Sequence, residues 1–386
     1  MRRDPVRLTL LVGAAVLCGW VGWSGNVLLL PLAIQFPALW SGAKTRLQAA
    51  FISAGYFLAA LRGLPQGVAN FYAADLWPGL LLWIAASLVF ICVHAYFWAN
   101  TATMRLALRY LGASAVIAVP PAGILGWAHP VTAAGVLFPG WGWAGLAATL
   151  ILLALMVTHY RLITALVFCG LWIWSVVNWV PPLAAPGWEG VALRLGASLG
   201  RKQGLQRQQE LLSMARKHAA GSTVVFPEST LGFWTPTSSR YWKNALEKTT
   251  ITVIAGAAVV KESGYDNVLV RLTATGSDII YRERMPVPGA MWQPWRPLVD
   301  GTGGARAHIF SNPVVASGDA RIAPLICYEQ LIVWPVLQSM LHDPDIIVAV
   351  GNGWWTTETA IVAIQNAAAQ AWARLFNKPL VISFNT

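Results

Sequence analysis

Charge is what this sequence lacks most. Only 11% of its 386 residues are Asp, Glu, Lys or Arg, against roughly a quarter in an average soluble domain. A water-facing surface cannot be covered with so few charges. The basic residues exceed the acidic ones, 27 to 16, but they are scattered. No stripe tracks a phosphate backbone, so direct nucleic-acid binding is not expected. Attraction to membrane lipids and control of topology account for the excess. Histidine is scarce, at six residues. His308 and His342 have no ligand-spaced His, Cys or carboxylate near them, so no metal is expected. No glycine-rich phosphate loop precedes a strand–helix unit, and no cofactor is called for. The four cysteines are Cys18, Cys92, Cys169 and Cys327. The first three lie in apolar runs and Cys327 stands alone after them, which excludes a disulfide framework there.

What is abundant is apolar: 56% hydrophobic residues and 21 Trp. Apolar runs cover residues 8–30, 47–64, 76–98, 104–125, 131–157 and 162–183, most of them near the roughly 20 residues a spanning helix needs. About six spans are expected, in a transmembrane domain over 1–190. Trp77, Trp98, Trp127, Trp179 and Trp188 fall near run ends, as an interfacial belt requires. Pro120-Pro121, Pro139 and Pro181-Pro182 interrupt or end helices. Gly126-Trp127-Ala128-His129-Pro130 reads as a loop or broken helix, with His129 a cap or packing residue before a site residue. Arg2, Arg3 and Arg7 favour a cytoplasmic N-terminus. Lys44 and Arg46, Arg105 and Arg109, then Arg161 occupy alternate connections, and the positive-inside tendency makes these cytoplasmic. With six spans the two signals conflict; the second is followed, and it sets the remainder on the non-cytoplasmic side.

Beyond residue 190 the pattern changes to α/β. Residues 201–219 read as an amphipathic helix and 238–248 as a second helix. Strands are expected at 222–226, 251–260, 267–273, 278–282, 321–327, 345–350 and 380–384, with helices at 330–341 and 356–376. The last strand runs into Phe384-Asn385-Thr386, so a further hairpin or a protecting element is expected to complete the sheet edge.

Three segments carry chemistry. Val225-Phe226-Pro227-Glu228-Ser229 delivers a carboxylate at a strand end, where α/β proteins place their sites; alone, Glu228 reads equally as a cap. Leu325-Ile326-Cys327-Tyr328-Glu329 delivers a thiol to a strand-to-helix turn, whose backbone N–H groups would lower its pKa and hold an oxyanion. A buried structural cysteine is the other reading. Tyr281-Arg282-Glu283-Arg284 opens a loop toward Val287-Pro288 and Trp292. Together they suggest acyl transfer through a thioester, with Cys327 as nucleophile and Glu228 as the proton carrier. Arg282, Arg284 and backbone donors are candidates for the oxyanion, and Glu329 for orienting the loop or relaying a proton.

The Phe-Pro-Glu-Ser and Ile-Cys-Tyr-Glu motifs, in this order, resemble the carbon–nitrogen hydrolase (nitrilase) superfamily over roughly residues 200–386, within an expected domain over 191–386. The membrane block before them resembles the apolipoprotein N-acyltransferase branch. Gly-Trp-Ala-His-Pro and Leu-Phe-Pro-Gly-Trp-Gly are similar to a shorter, conjugal-transfer branch. The resemblance implies an αββα sandwich, a Glu–Lys–Cys triad with Glu228 and Cys327 in the matching places, and an acyl pocket involving Tyr328, Asn352 and Trp355. It implies an amide of a lipid, peptide or envelope component as substrate and conjugation-machinery proteins as partners. One position departs. Counting back from Pro288 puts Glu283 where the lysine belongs, and a carboxylate there repels an oxyanion. An arginine beside it is no equivalent for an ammonium. A membrane-bound amidase or acyltransferase is therefore one reading; a non-catalytic or weakly catalytic accessory of the conjugation machinery is the other.

Overall fold

The structure, a computed structural model, describes residues 3–196, 204–299 and 303–386. Arg2 and residues 201–203, at the start of the expected amphipathic helix, lie outside the described residues. The chain divides into two compact units. The first comprises Met1–Pro182, Leu331–Trp334 and Glu358–Asn377; the second comprises Leu183–Gln330, Pro335–Thr357 and Lys378–Thr386.

The first unit is helical. Its apolar runs yield two helices long and apolar enough to cross a membrane, within Pro5–Gly22 and Leu76–Phe97. Arg46–Ala60 and Leu64–Tyr72 make a third only if their 47° bend is counted as one broken span. The other runs shorten at identifiable residues. The first run turns after Gly22, and Asn26 caps a 3-10 helix over Val27–Gln35. Thr103–Ala118 ends just before Pro120-Pro121, where proline removes a donor. The run over 131–157 breaks around Pro139-Gly140 and resumes as Gly142–Met156; the last gives Arg161–Val177. Large apolar side chains cover the exterior of these shorter helices too: Leu162, Leu166 and Trp174 are each at least 70% exposed. Together with the two long helices, such an exterior supports membrane association.

Small residues explain why Ile361–Phe376 packs within this unit. A Cβ on Gly135 would lie 1.6 Å from the carbonyl oxygen of Ala371. The alanine-rich helix thus meets the short helix Ala134–Leu137 backbone against backbone, as small residues permit.

The second unit is α/β, with two mixed sheets. Strands β1 (Trp188–Gly190), β2 (Thr223–Val225), β3 (Thr252–Lys261), β4 (Gly264–Leu272) and β5 (Ser277–Arg282) lie in that order in the first sheet. The first three are mutually parallel, and β3, β4 and β5 run antiparallel in turn. Strands β6 (Val315–Ser317), β7 (Ala320–Ile326), β8 (Ile346–Asn352) and β9 (Leu380–Asn385) form the second. There β6–β7 is antiparallel and β7, β8 and β9 are parallel. The expected strands all appear within a few residues of the expected limits. The short β1 and β6 were not expected: Trp-Glu-Gly and Val-Ala-Ser lack the apolar run that marks the equally short β2.

Alternation sorts the side chains of the first sheet onto two faces. Val253, Ala255, Val268 and Val270 pack on Leu211, Leu212, Trp242 and Leu246 of the helices Gly204–Ala215 and Pro236–Leu246. Val225, Ile254, Leu269 and Tyr281 face Ile322, Ile326, Val348 and Val350 of the second sheet. The order is helices, sheet, sheet. Thr235 caps the second helix by accepting from Ser238 N, with Pro236 at its first turn, a combination that starts helices well.

Candidate active site

The site is assembled at the ends of parallel strands from both sheets of the second unit. Glu228 follows β2 by three residues, Cys327 follows β7 directly, and Asn352 is the last residue of β8. Phe226 N donates to Ile254 O at 2.8 Å and Gly256 N donates to Pro227 O at 3.1 Å, so β3 carries the Glu228 loop along its edge. That approach demands glycine. A Cβ at Gly256 would sit 2.4 Å from Glu228 Cα and 2.5 Å from Ser229 N.

Glu228 and Cys327 come together: the thiol donates to the carboxylate, which is buried. Glu228 Oε1 also accepts from Asn267 Nδ2 at 2.8 Å and Oε2 accepts from Asn352 N at 3.0 Å. Burial pushes the Glu228 carboxyl up to about 7, and the Glu329 charge adds to this. Asn267, Cys327 and the Asn352 N–H pull it back. Such a group is poised to take and return a proton near neutral pH. Cys327 itself has φ +45°, a left-handed conformation unusual for a side chain with a Cβ. The 3-10 turn Cys327–Gln330 follows, and the α-helix begins only at Val333. The expected strand-to-helix turn is therefore longer than the sequence suggested, and it is the tight 3-10 turn that adjoins the thiol.

Glu283 lies immediately after β5, fully buried, with Oε2 accepting from the same Asn267 Nδ2 at 2.8 Å. The carboxyl is raised well above the ordinary range by burial, with the charges of Glu228 and Glu329 adding to the effect. The position where a lysine was expected thus holds an acid side chain that shares an amide with Glu228.

The flanking arginines are committed. Arg284 is fully buried. Its Nε donates to Tyr281 Oη at 2.9 Å, Nη1 to Pro335 O and Gln338 Oε1, and Nη2 to Pro324 O. Its Nε also lies 3.6 Å from Glu329 Oε1. Arg282 is 39% exposed and directs Nε toward Asp266 Oδ2 at 3.3 Å, while His308 Nε2 contacts Asp266 Oδ1 at 2.9 Å. Glu329 accepts from Tyr281 Oη, Arg284 N and Ile326 N at 2.7 Å each, and more weakly from Met285 N. It ties the end of β7 to the loop after β5. Burial raises its carboxyl, and Arg284 with these donors draws it down again.

Tyr328 is buried beside Cys327, and Trp355 Nε1 donates to Asn352 O at 2.9 Å. Asn352 Oδ1 in turn accepts from Asn385 Nδ2 at 2.8 Å, and Asn385 Oδ1 from Leu195 N at 2.7 Å. Sequence reasoning missed Asn267, Gly256 and Asn385. Asn267 follows Tyr265-Asp266 just after a two-residue hairpin turn, where polar residues are ordinary. Its signal was an amide directly before the apolar run Val268–Val270.

Among the described residues no group of three or more His, Cys, Asp or Glu could hold a metal ion. An acid and a thiol thus meet at strand ends of a mixed-sheet α/β unit. The carbon–nitrogen hydrolase family model matches residues 58–374, and the chain belongs to that family. It is 58% identical to a probable conjugal transfer protein TraB of Sinorhizobium fredii over 388 residues, covering all of both chains. It is 52% identical to the conjugal transfer protein TraB of Agrobacterium fabrum, over all of this chain and 94% of that one. The solved amidase of a Nesterenkonia species aligns over 51% of this chain and 74% of its own, at 11% identity and a TM-score of 0.35.

Proposed function

We propose that the protein is a membrane-bound nitrilase-type amidase or acyltransferase that works through a cysteine thioester and serves plasmid conjugal transfer. The observation that carries this reading is the hydrogen bond between the Cys327 thiol and buried Glu228. Glu228 takes the Sγ proton as sulfur adds to the substrate carbonyl. The tetrahedral intermediate collapses, the C–N bond breaks, and the departing amine receives that proton. Water or an acceptor amine then attacks the thioester, Glu228 takes its proton, and the thiolate leaves and is reprotonated. Backbone donors of the turn after Cys327 hold the oxyanion, since Arg284 and Arg282 are engaged elsewhere. Glu329 orients the loop at 284–285. Tyr328, Asn352 and Trp355 line the acyl pocket.

The substrate class is an amide of a lipid, peptide or envelope component, and the partners are membrane lipids and conjugation proteins. The name shared by the two relatives supports the conjugal role. The apolar exteriors of the shorter helices support a multi-pass arrangement of about six crossings, and the alternate placement of basic residues supports a periplasmic catalytic unit in the inner membrane.

Intact mass of the reconstituted protein tests the chemistry. Incubated with phospholipid and candidate amides, the wild type is expected to gain an acyl adduct that Cys327→Ala does not. A folded protein whose Cys327 resists both acylation and alkylation would favour the accessory reading, to which a carboxyl at position 283 otherwise points.

A further inference from the structure

Two buried carboxyls share one amide. Asn267 Nδ2 gives one N–H to Glu228 Oε1 and the other to Glu283 Oε2, each at 2.8 Å. Their remaining surroundings differ. Glu228 is further supplied by Asn352 N and by the Cys327 thiol. Among the described residues, Glu283 Oε1 is buried with no hydrogen-bond partner, and so is Asn267 Oδ1.

Among the described residues, the charged and titratable groups flanking Glu283 in sequence make other contacts. Arg284, next in sequence, directs its guanidinium to Tyr281, Gln338, Glu329 and two carbonyls. Arg282, the residue before, faces Asp266, as does His308. The Tyr281 hydroxyl donates to Glu329. Glu228 and Glu329 are the groups whose charges act on Glu283, and both are of its own sign. Two carboxylates this close, without a cation, do not both ionise at moderate pH. The donors decide between them. Several hydrogen bonds to the charged form keep Glu228 ionised, whereas a single one leaves Glu283 with little to offset its burial. A proton on Glu283 Oε1 also turns an unpaired acceptor into a donor.

We propose that Glu283 is a neutral carboxylic acid in the working protein and acts as a positioning residue, accepting one Asn267 N–H so that the other stays on ionised Glu228. This rests on Glu228 being the base of the proposed reaction. In this arrangement the acid at 283 is compatible with a functioning thiol site, because it adds no negative charge beside it.

Infrared spectroscopy of the full chain in phospholipid nanodiscs tests this without substrate. At about pH 8.5, where ordinary carboxyls are ionised, the wild type is expected to show a carboxylic-acid carbonyl band. The band should shift in D2O, persist in Glu228→Gln and vanish in Glu283→Gln. Iodoacetamide labelling of Cys327 should fall about tenfold in Glu283→Leu, which cannot accept the Asn267 N–H, and return to within about threefold of the wild type in Glu283→Gln, whose amide oxygen can. No such band in the wild type overturns the proposal, as does a band that survives Glu283→Gln. A fall in labelling of more than about tenfold in folded Glu283→Gln also overturns it. If Glu283→Gln does not fold, the wild-type spectrum and its persistence in Glu228→Gln decide. An absent band would leave the thioester reading to the adduct experiment, which is scored on Cys327 alone.

Discussion

Tyr56 in the first unit and Glu329 in the second are both fully buried and both hydrogen-bonded, but in different company. Tyr56 accepts from Trp23 Nε1 and donates to Ala128 O. His129 behaves similarly, with Nδ1 accepting from Val131 N and Nε2 reaching Ser114 O. These groups close on backbone or on a neutral side chain. In the second unit buried ionisable groups of the site also close on one another. Glu329, Tyr281 and Arg284 form one cluster, and Glu228, Asn267, Glu283 and Cys327 another. Neutral pairing to backbone stabilises without adding reactivity. Ionisable groups held together out of water have shifted proton affinities, which is what acid–base chemistry needs.

That contrast is sharpest at Arg284. Arg284→Ala leaves Glu329 buried without its cation, and breaking a buried pair in this way costs about 3–5 kcal/mol. A correspondingly large drop in the thermal midpoint of the detergent-solubilised protein is expected. A change no larger than that of a surface arginine would mean that the cluster is not an ion pair.

Glu228→Gln addresses the chemistry. Removing a general base lowers the rate of thioester formation by about a hundredfold, near 2.7 kcal/mol. In the wild type, formation of the acyl adduct should rise as pH passes through about 7, because the base works ionised; the Gln variant should lack that rise. The stability trend runs the other way. A carboxyl raised by burial binds its proton more tightly folded than unfolded, so its contribution turns unfavourable from its ordinary value upward and is complete above about 7. Glu228→Gln should therefore match the wild type in acid and exceed it in stability at alkaline pH. Equal stability across the range would break the account of the shift.

Tyr56→Phe is the control from the other unit. It strands the Trp23 N–H and the Ala128 carbonyl, at about 1–3 kcal/mol, and should leave the pH profile of Cys327 alkylation unchanged. A moved profile would erase the distinction between the units.

The two groups at the heart of the site were legible because each comes within three residues of the end of an apolar strand, and strand ends are where such folds expose reactive side chains. The groups that set their proton affinities were not legible. Asn267 lies on a neighbouring antiparallel strand, and the register that brings its amide between Glu228 and Glu283 is a tertiary fact. Glu283 could be placed by counting back from Pro288, but that its cationic neighbours are engaged elsewhere could not. Apolar run lengths located the helices and the prolines at 120 and 139 marked two of their breaks, but the turn capped by Asn26 lay inside a continuous apolar run. The alanine richness of 361–376 announced a helix; only the missing side chain at Gly135 explains how closely it packs.

The left-handed backbone at Cys327 has one more consequence. Such a conformation costs a residue with a Cβ roughly 1–2 kcal/mol, and glycine almost nothing. Ser229, next to Glu228, is also left-handed, with φ +57°. If durability alone shaped these turns, glycine would be the easier occupant of both, and a lineage that no longer needed the thiol would drift toward it. A side chain retained against that gradient is a running cost to the fold, which makes the identity of residue 327 across natural variants a record of whether the chemistry is still in use.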